Sequence, residues 1–210
     1  MAILRSVDEI AAVITAAARP VQRTIVGVVG SPGAGKSTVG EALVAHLNAL
    51  SASAQLVSMD GFHLPQSRLV ELGRRDRMGA PDTFDVDGFV ALLEHLRADG
   101  GSVAAPGFDR EVEEATPGTV SIAGDRRVIV VEGNYLLHDQ GGWQRVAPLL
   151  DLALFVGLER DIRLARLVAR HERYGKSAAD AGAWALGPDE TNAQLIERTA
   201  ARADHEVRLA

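Results

Sequence analysis

The 210-residue chain contains no cysteine. Disulfides, thiolate metal sites and cysteine nucleophiles are therefore excluded. Aromatic residues make up only 4%, thin material for stacking a nucleobase. Lysine is almost missing: of 22 basic side chains only Lys36 and Lys176 are lysines. Basic charge is not in excess either. A net charge of −6 argues against nucleic acid as a partner, which needs a basic surface. No apolar run is long enough to span a bilayer, so no membrane partner is expected. Asp8 and Glu9 interrupt the N-terminus before a signal-peptide core develops. A cytoplasmic location is the expectation. The six histidines (His46, His63, His95, His138, His171, His205) lie far apart, without metal-ligand spacing.

What is present is an ordinary globular composition, 47% hydrophobic and 24% charged. The length suits one α/β domain, residues 1–210, with a small lid at about 160–187. Residues 7–18 read as a helix capped by Ser6 and ended by Pro20. "TIVGVVG" (24–30), "RVIVVEG" (127–133) and "LALFVGL" (152–158) are continuous apolar runs, as expected of strands buried on both faces. "QLVSMD" (55–60) is a shorter strand. Helices are expected over 36–50, 86–100, 159–174 and 189–204, with a short one around 66–72. Gly100 and Gly101 stop the helix over 86–100. Residues 102–127 hold short strand-like pieces, 175–188 look mobile, and "EVRL" adds a final strand. Strands alternating with helices predict a mostly parallel sheet covered on both faces, a three-layer sandwich.

Between the first apolar run and its helix stands Gly30-Ser31-Pro32-Gly33-Ala34-Gly35-Lys36-Ser37, followed by Thr38. It matches G-x-x-x-x-G-K-[ST] in the strand–helix context the motif requires. Glycines let successive N–H groups turn inward onto phosphate oxygens, and the helix start adds partial positive charge. Lys36 reaches the β- and γ-phosphates, and the Ser37 hydroxyl ligates Mg²⁺. In a chain that otherwise uses arginine, lysine at 36 marks a place for a compact ammonium. The plain alternative is a flexible turn that happens to match. The loop alone names no reaction.

Two carboxylates end strands near this loop. Glu132 closes "VIVVEG" at the carboxyl edge where α/β sheets bind ligands, and can hold Mg²⁺ opposite Ser37. Asp60, in "LVSMDGFH", ends a strand expected near the first. It can take a proton from a substrate hydroxyl as catalytic base. Asp-Gly is also an ordinary turn pair, and the metal could sit on Asp60 instead. Arg160, Arg163, Arg166, Arg170 and Arg173 recur at helical spacing over about 20 Å. Leu164, Leu167 and Val168 are expected opposite them. A solvated face is the ordinary meaning of such a stripe. Phosphoryl transfer also needs mobile cations, and Arg166 and Arg170 are the expected catalytic pair.

These motifs, with "MDGFHLP" (59–65), "GAPDTFDVDGFVALLEHLRADG" (79–100), "VAAPGFDRE" (103–111), "VIVVEGNYLL" (128–137) and "DHEVRL" (204–209), resemble the uridine kinase, phosphoribulokinase and bacterial pantothenate kinase family of P-loop kinases. "RLVARHERYGKS", "AGAW" and "DETNA" are most similar to its nucleoside or sugar kinase-like subgroup, which includes kinases associated with fructose transport. The resemblance implies ATP-dependent, Mg²⁺-assisted phosphorylation of a small molecule's hydroxyl, as on a sugar, nucleoside or pantothenate-like compound. It implies Asp60 as base, a lid at 160–187, and substrate contacts from His63, Phe84, Arg110 and Tyr135. Where relatives carry aromatics and histidine after the proline matching Pro106, this chain has Gly107-Phe108-Asp109-Arg110. Trp184 is a candidate lining residue from the lid.

Two other functions compete. One is a regulatory P-loop NTPase without an acceptor, or a bare nucleotide-binding module. The other is a nucleoside monophosphate kinase, for which Arg74, Arg75 and Arg77 are the candidate phosphate clamp. The guanine motif Asn-Lys-x-Asp is missing, as neither lysine fits it, and so is an ABC-type signature. The oligomeric state is open, a homodimer included.

Overall fold

A computed structural model describes residues 1–19, 21–98 and 101–209. Pro20 and Gly100, the expected stops of two helices, lie outside them. The sheet is built by the apolar runs, whose side chains alternate between two cores. Strand β2 (Thr24–Val29) is buried throughout. Its Ile25 and Val29 face one core and its Val26 and Val28 the other. Strands β6 (Val128–Gly133) and β7 (Leu152–Val156) are equally buried and split their residues the same way.

With β1 (Ala2–Leu4), β3 (Ala54–Ser58) and β8 (His205–Val207), these form a six-stranded sheet in the order β1-β8-β7-β2-β6-β3. Every pair in it is parallel. One face is covered by α1 (Val7–Ala17) and α2 (Lys36–Ala49), which bury Ile10, Ile14, Leu43 and Leu47. The other is covered by α4 (Val86–Ala98), through Phe89, Val90, Leu93 and Leu96. The short α3 (Gln66–Glu71) leads out of the segment after β3. Ser6 caps α1 by accepting from the Glu9 amide at 3.2 Å.

Several expectations change. Strand β1 was not anticipated, because three residues carry no readable period; it forms by adding to β8 at the sheet margin. β3 does not neighbour β2: β6 lies between them. Residues 102–127 hold a two-stranded antiparallel hairpin, β4 (Val103–Asp109) and β5 (Glu114–Ile122). The stretch 175–188 is helical rather than irregular. It forms α6 (Ala178–Trp184), capped by Ser177, and a wide π turn over Ala185–Asp189 that contains Pro188. That turn runs into α7 (Glu190–Glu197), so the expected last helix ends earlier than 204. No helix among the described residues is long and apolar enough to cross a membrane.

The arginine helix is α5 (Arg160–Arg173). Its arginines do not stand clear of its leucines. Arg163 and Leu167 are one turn apart on the same buried stripe, because that stripe packs on the loop before α2. A Cβ at Gly33 would meet Leu167 at 2.8 Å and the Arg163 carbonyl at 3.0 Å.

The hairpin is keyed to the rest at one contact. A Cβ at Gly61 would stand 2.2 Å from the Pro106 carbonyl oxygen, so no side chain fits between the β3 exit and β4. Gly61→Ala is expected to lower stability by about 1–3 kcal/mol, read as a reduced urea midpoint with an unchanged slope.

Candidate active site

The site lies beyond the carboxyl ends of β2, β6 and β3, where an open parallel sheet receives its ligands. Its floor is the loop 30–37. Gly33 and Gly35 take left-handed backbone angles, φ +80° and +95°, which glycine alone adopts freely. α2 starts at Lys36 with Gly35 as its cap and no side chain bonding its first amides. Those unspent N–H groups form an anion site. Lys36 is buried, and its ammonium donates to the Ser31 carbonyl at 3.2 Å. Burial lowers its pKa, while Glu132 and Asp60 oppose that shift. It is a desolvated cation with its counter-charges already in place. Pro32 and Ser37 also line the cavity. Thr38 is exposed and does not line it.

Asp60 sits in a short turn over Met59–Phe62, capped by the Ser58 hydroxyl. Its carboxylate accepts from the Arg110 guanidinium at 2.9 Å. Burial opposes its ionisation, yet His63, Arg110, Lys36 and Arg170 outweigh that and hold it below the ordinary aspartate value. Glu132, on β6, behaves oppositely. Burial and the charge of Asp60 push its pKa up, although Lys36 and a hydrogen bond donated by Ser58 pull the other way. Two facing carboxylates thus divide: one stays ionised, and the other invites a cation.

His63 lies between two rings, 4.0 Å from Phe84 and 4.7 Å from Phe108. Burial lowers its pKa against the pull of Asp60. His63 donates from Nδ1 to the Asp60 carbonyl oxygen at 2.8 Å, since a carbonyl only accepts.

The structure brings Lys36, Ser37, Asp60, His63, Phe84, Arg110, Glu132 and Arg170 to one cavity. It does not bring Tyr135 there. That ring is fully buried among Phe84, His138 and Trp143, and its hydroxyl donates to the Gly79 carbonyl at 2.6 Å. Tyr135 therefore holds the cavity's far wall from behind. Arg166 is not a wall residue either. It is exposed, and its guanidinium stands over the loop, 3.5 Å from where a Gly35 Cβ would be. Arg163 is buried rather than superficial, and with Arg160 it is ion-paired to Glu190 of α7.

Sequence reasoning missed several walls. Asn134, Met78, Glu113, His171, Asp189 and Asn192 line the cavity, drawn from five separate segments with no shared pattern. The arginines of 74–77 are spoken for. Arg74 and Arg77 pair with Asp82, and Arg75 pairs with Glu113 at 2.7 Å. Trp184 does line the cavity.

A six-stranded parallel sheet between helices, with a glycine loop, a buried lysine and two carboxylates at its carboxyl edge, defines the P-loop kinase class. A model of the phosphoribulokinase/uridine kinase family matches residues 25–207. The chain belongs to that family of ATP-dependent small-molecule kinases. A crystal structure titled "putative fructose transport system kinase" from Silicibacter sp. TM1040 has a TM-score of 0.91 at 35% identity, over 97% of this chain and 99% of that one. The ATP-dependent kinase-like protein notR' of Aspergillus versicolor is 40% identical over 125 residues, 56% of this chain and 73% of that protein. YggC of Escherichia coli (strain K12) is 31% identical over 180 residues, 84% of this chain and 74% of that protein.

Gly33→Ala would force a Cβ into Leu167 and into a left-handed backbone angle. It is expected to weaken ATP binding at least tenfold, whereas Gly73→Ala, where nothing lies within 4 Å, leaves ATP binding unchanged. Calorimetric titration with a non-hydrolysable ATP analogue reads both.

Proposed function

We propose that the protein transfers the γ-phosphoryl group of ATP to a hydroxyl of a small-molecule acceptor, with Asp60 as the base. The observation that carries this reading is the pairing of an ionised Asp60 with the buried Lys36 across one cavity. A phosphate cradle and a proton acceptor then share a single wall-to-wall space. A nucleotide switch needs no such base.

In this reading Asp60 takes the proton of the acceptor hydroxyl as its oxygen bonds to the γ-phosphorus, and the bond from that phosphorus to the bridging oxygen of ADP breaks. Arg110 holds the Asp60 carboxylate in place before the acceptor enters. Lys36, the first amides of α2 and Arg170 face the charge that builds on the transferring group. The residues fit a divalent cation. Glu132 has a carboxyl that burial and the charge of Asp60 leave short of a cation, and Ser37 offers a hydroxyl beside the cradle. No cluster of three or more metal-ligating side chains stands among the described residues, which suits Mg²⁺, an ion that keeps waters and binds phosphates. When bound there, it would neutralise charge on the β- and γ-phosphates.

The monophosphate-kinase reading loses support. It needs free arginines for a second phosphate, and Arg74 and Arg77 are held by Asp82 and Arg75 by Glu113.

Asp60→Asn is expected to keep ATP-analogue affinity within about twofold and to lower acceptor-dependent ADP release about 10²–10⁴-fold. Near-normal release by this variant would remove Asp60 as base. ADP release that no acceptor stimulates, across sugars, polyols, nucleosides and pantothenate, would instead support the NTPase reading.

A further inference from the structure

The cavity has a second wall, supplied by α5, α6, the π turn and α7. Four of its residues are His171, Trp184, Asp189 and Asn192. Asp189, Asn192, Ala193 and Ile196 follow at ordinary helical spacing on one face and all turn inward. The last two pack as core. The first two are polar and more than nine-tenths buried, at 8% and 6% exposure.

Their hydrogen bonds are incomplete. Asp189 has one partner, His171 Nε2 at 2.7 Å to Oδ2. Its Oδ1 and the Asn192 side-chain amide make no hydrogen bond among the described residues, and both residues line the cavity. Polar groups placed in this way are free to bond what enters it. Trp184 adds a flat apolar surface beside them, with His171 6.5 Å away and the Lys176 ammonium 4.8 Å from its ring.

Charge selects what completes the wall. Three arginines line the cavity. Arg110 is committed to Asp60, and Arg75 to Glu113 and Gln66. Arg170 alone has no ion pair among the described residues, and its charge acts on Lys36 and Asp60 at the cradle. The lining sets Lys36, Arg75, Arg110 and Arg170 against Asp60, Glu113, Glu132 and Asp189, so an anionic acceptor finds no net positive charge on the walls. A neutral molecule bearing several hydroxyls meets an acceptor oxygen, an amide and an aromatic face for its C–H surface.

We infer that this helical wall is the acceptor-specificity site. Asp189 and Asn192 bind hydroxyls at the end of the acceptor remote from the transferred phosphoryl group, Trp184 covers its apolar face, and His171 orients Asp189. The ligand class is a neutral polyhydroxylated molecule: a sugar, a polyol or the ribose of a nucleoside. Pantothenate and nucleoside monophosphates, being anions, are rejected. The inference rests on the kinase reading above for the position of the reacting hydroxyl, and on the wall's own chemistry for the rest.

The test separates the two. D-Fructose, D-ribose, sorbitol and uridine are compared with D-glycerate, pantothenate and UMP. Binding is followed by tryptophan emission with Mg²⁺ and a non-hydrolysable ATP analogue, in the wild type and in Trp184→Phe. Turnover is followed by ADP release. The expected result is an emission change with neutral compounds that Trp184→Phe abolishes. In turnover, Asp189→Asn and Asn192→Ala each raise the acceptor KM about tenfold or more, with the ATP KM unchanged. Should Asp189→Asn misfold, Asn192→Ala and Trp184→Phe carry the same comparison. Transfer to an anionic acceptor, or to any acceptor whose KM these variants leave unchanged, overturns the site and leaves the kinase reading standing. Saturable binding of neutral compounds at Trp184 without any transfer upholds the site and overturns the kinase reading. No binding and no transfer across the panel overturns both.

Discussion

Asp60, Glu132 and Lys36 share one desolvated space at the carboxyl edge of the sheet, and their mutual charges constrain everything around them. A buried ammonium is costly unless carboxylates compensate it, and two facing carboxylates cannot both ionise cheaply. The protein divides the roles by neighbours. Asp60 is hydrogen-bonded by Arg110 and Glu132 by a serine hydroxyl, and Lys36 and Arg110 reach Glu132 through charge alone. One carboxyl is therefore held ready to accept a proton, while the other is left wanting a cation.

The fold serves that arrangement through close approaches rather than through bulk. Glycine at 33 lets α5 lie on the loop, and glycine at 61 lets the β4–β5 hairpin bring Arg110 to Asp60. One face of the α7 region aims two polar residues, Asp189 and Asn192, at the same cavity. The Arg160 and Arg163 pairs to Glu190 tie α5 to α7.

Charge bookkeeping also separates functions that the motifs leave together. Arginines 74, 75 and 77 look like a phosphate clamp when read in a row, but Arg74 and Arg77 share Asp82 and Arg75 is paired with Glu113. The same pairing logic leaves Arg170 as the cavity guanidinium without an ion pair among the described residues. Family membership establishes the kinase class; the balance of paired and unpaired groups is what bears on the acceptor.

Local physics was enough for the parallel sheet, the glycine loop, the Ser6 cap and the strand-end carboxylates. Continuous apolar runs, turn glycines and helical spacing act within a few residues and leave a readable trace. Edge strand β1 left none, being too short for a period. The helical character of 175–188 was hidden because glycine, alanine and proline read as mobile, while burial of Ala181 and Ala185 holds the segment in place. Tyr135 lay next to a functional strand end, yet only packing showed that its hydroxyl is spent on Gly79. The sequence by itself thus determined the cradle, whose parts are neighbours in the chain. Only the tertiary structure decided the acceptor side, since its walls come from segments about 130 residues apart at the extremes and its charge balance exists only once they meet.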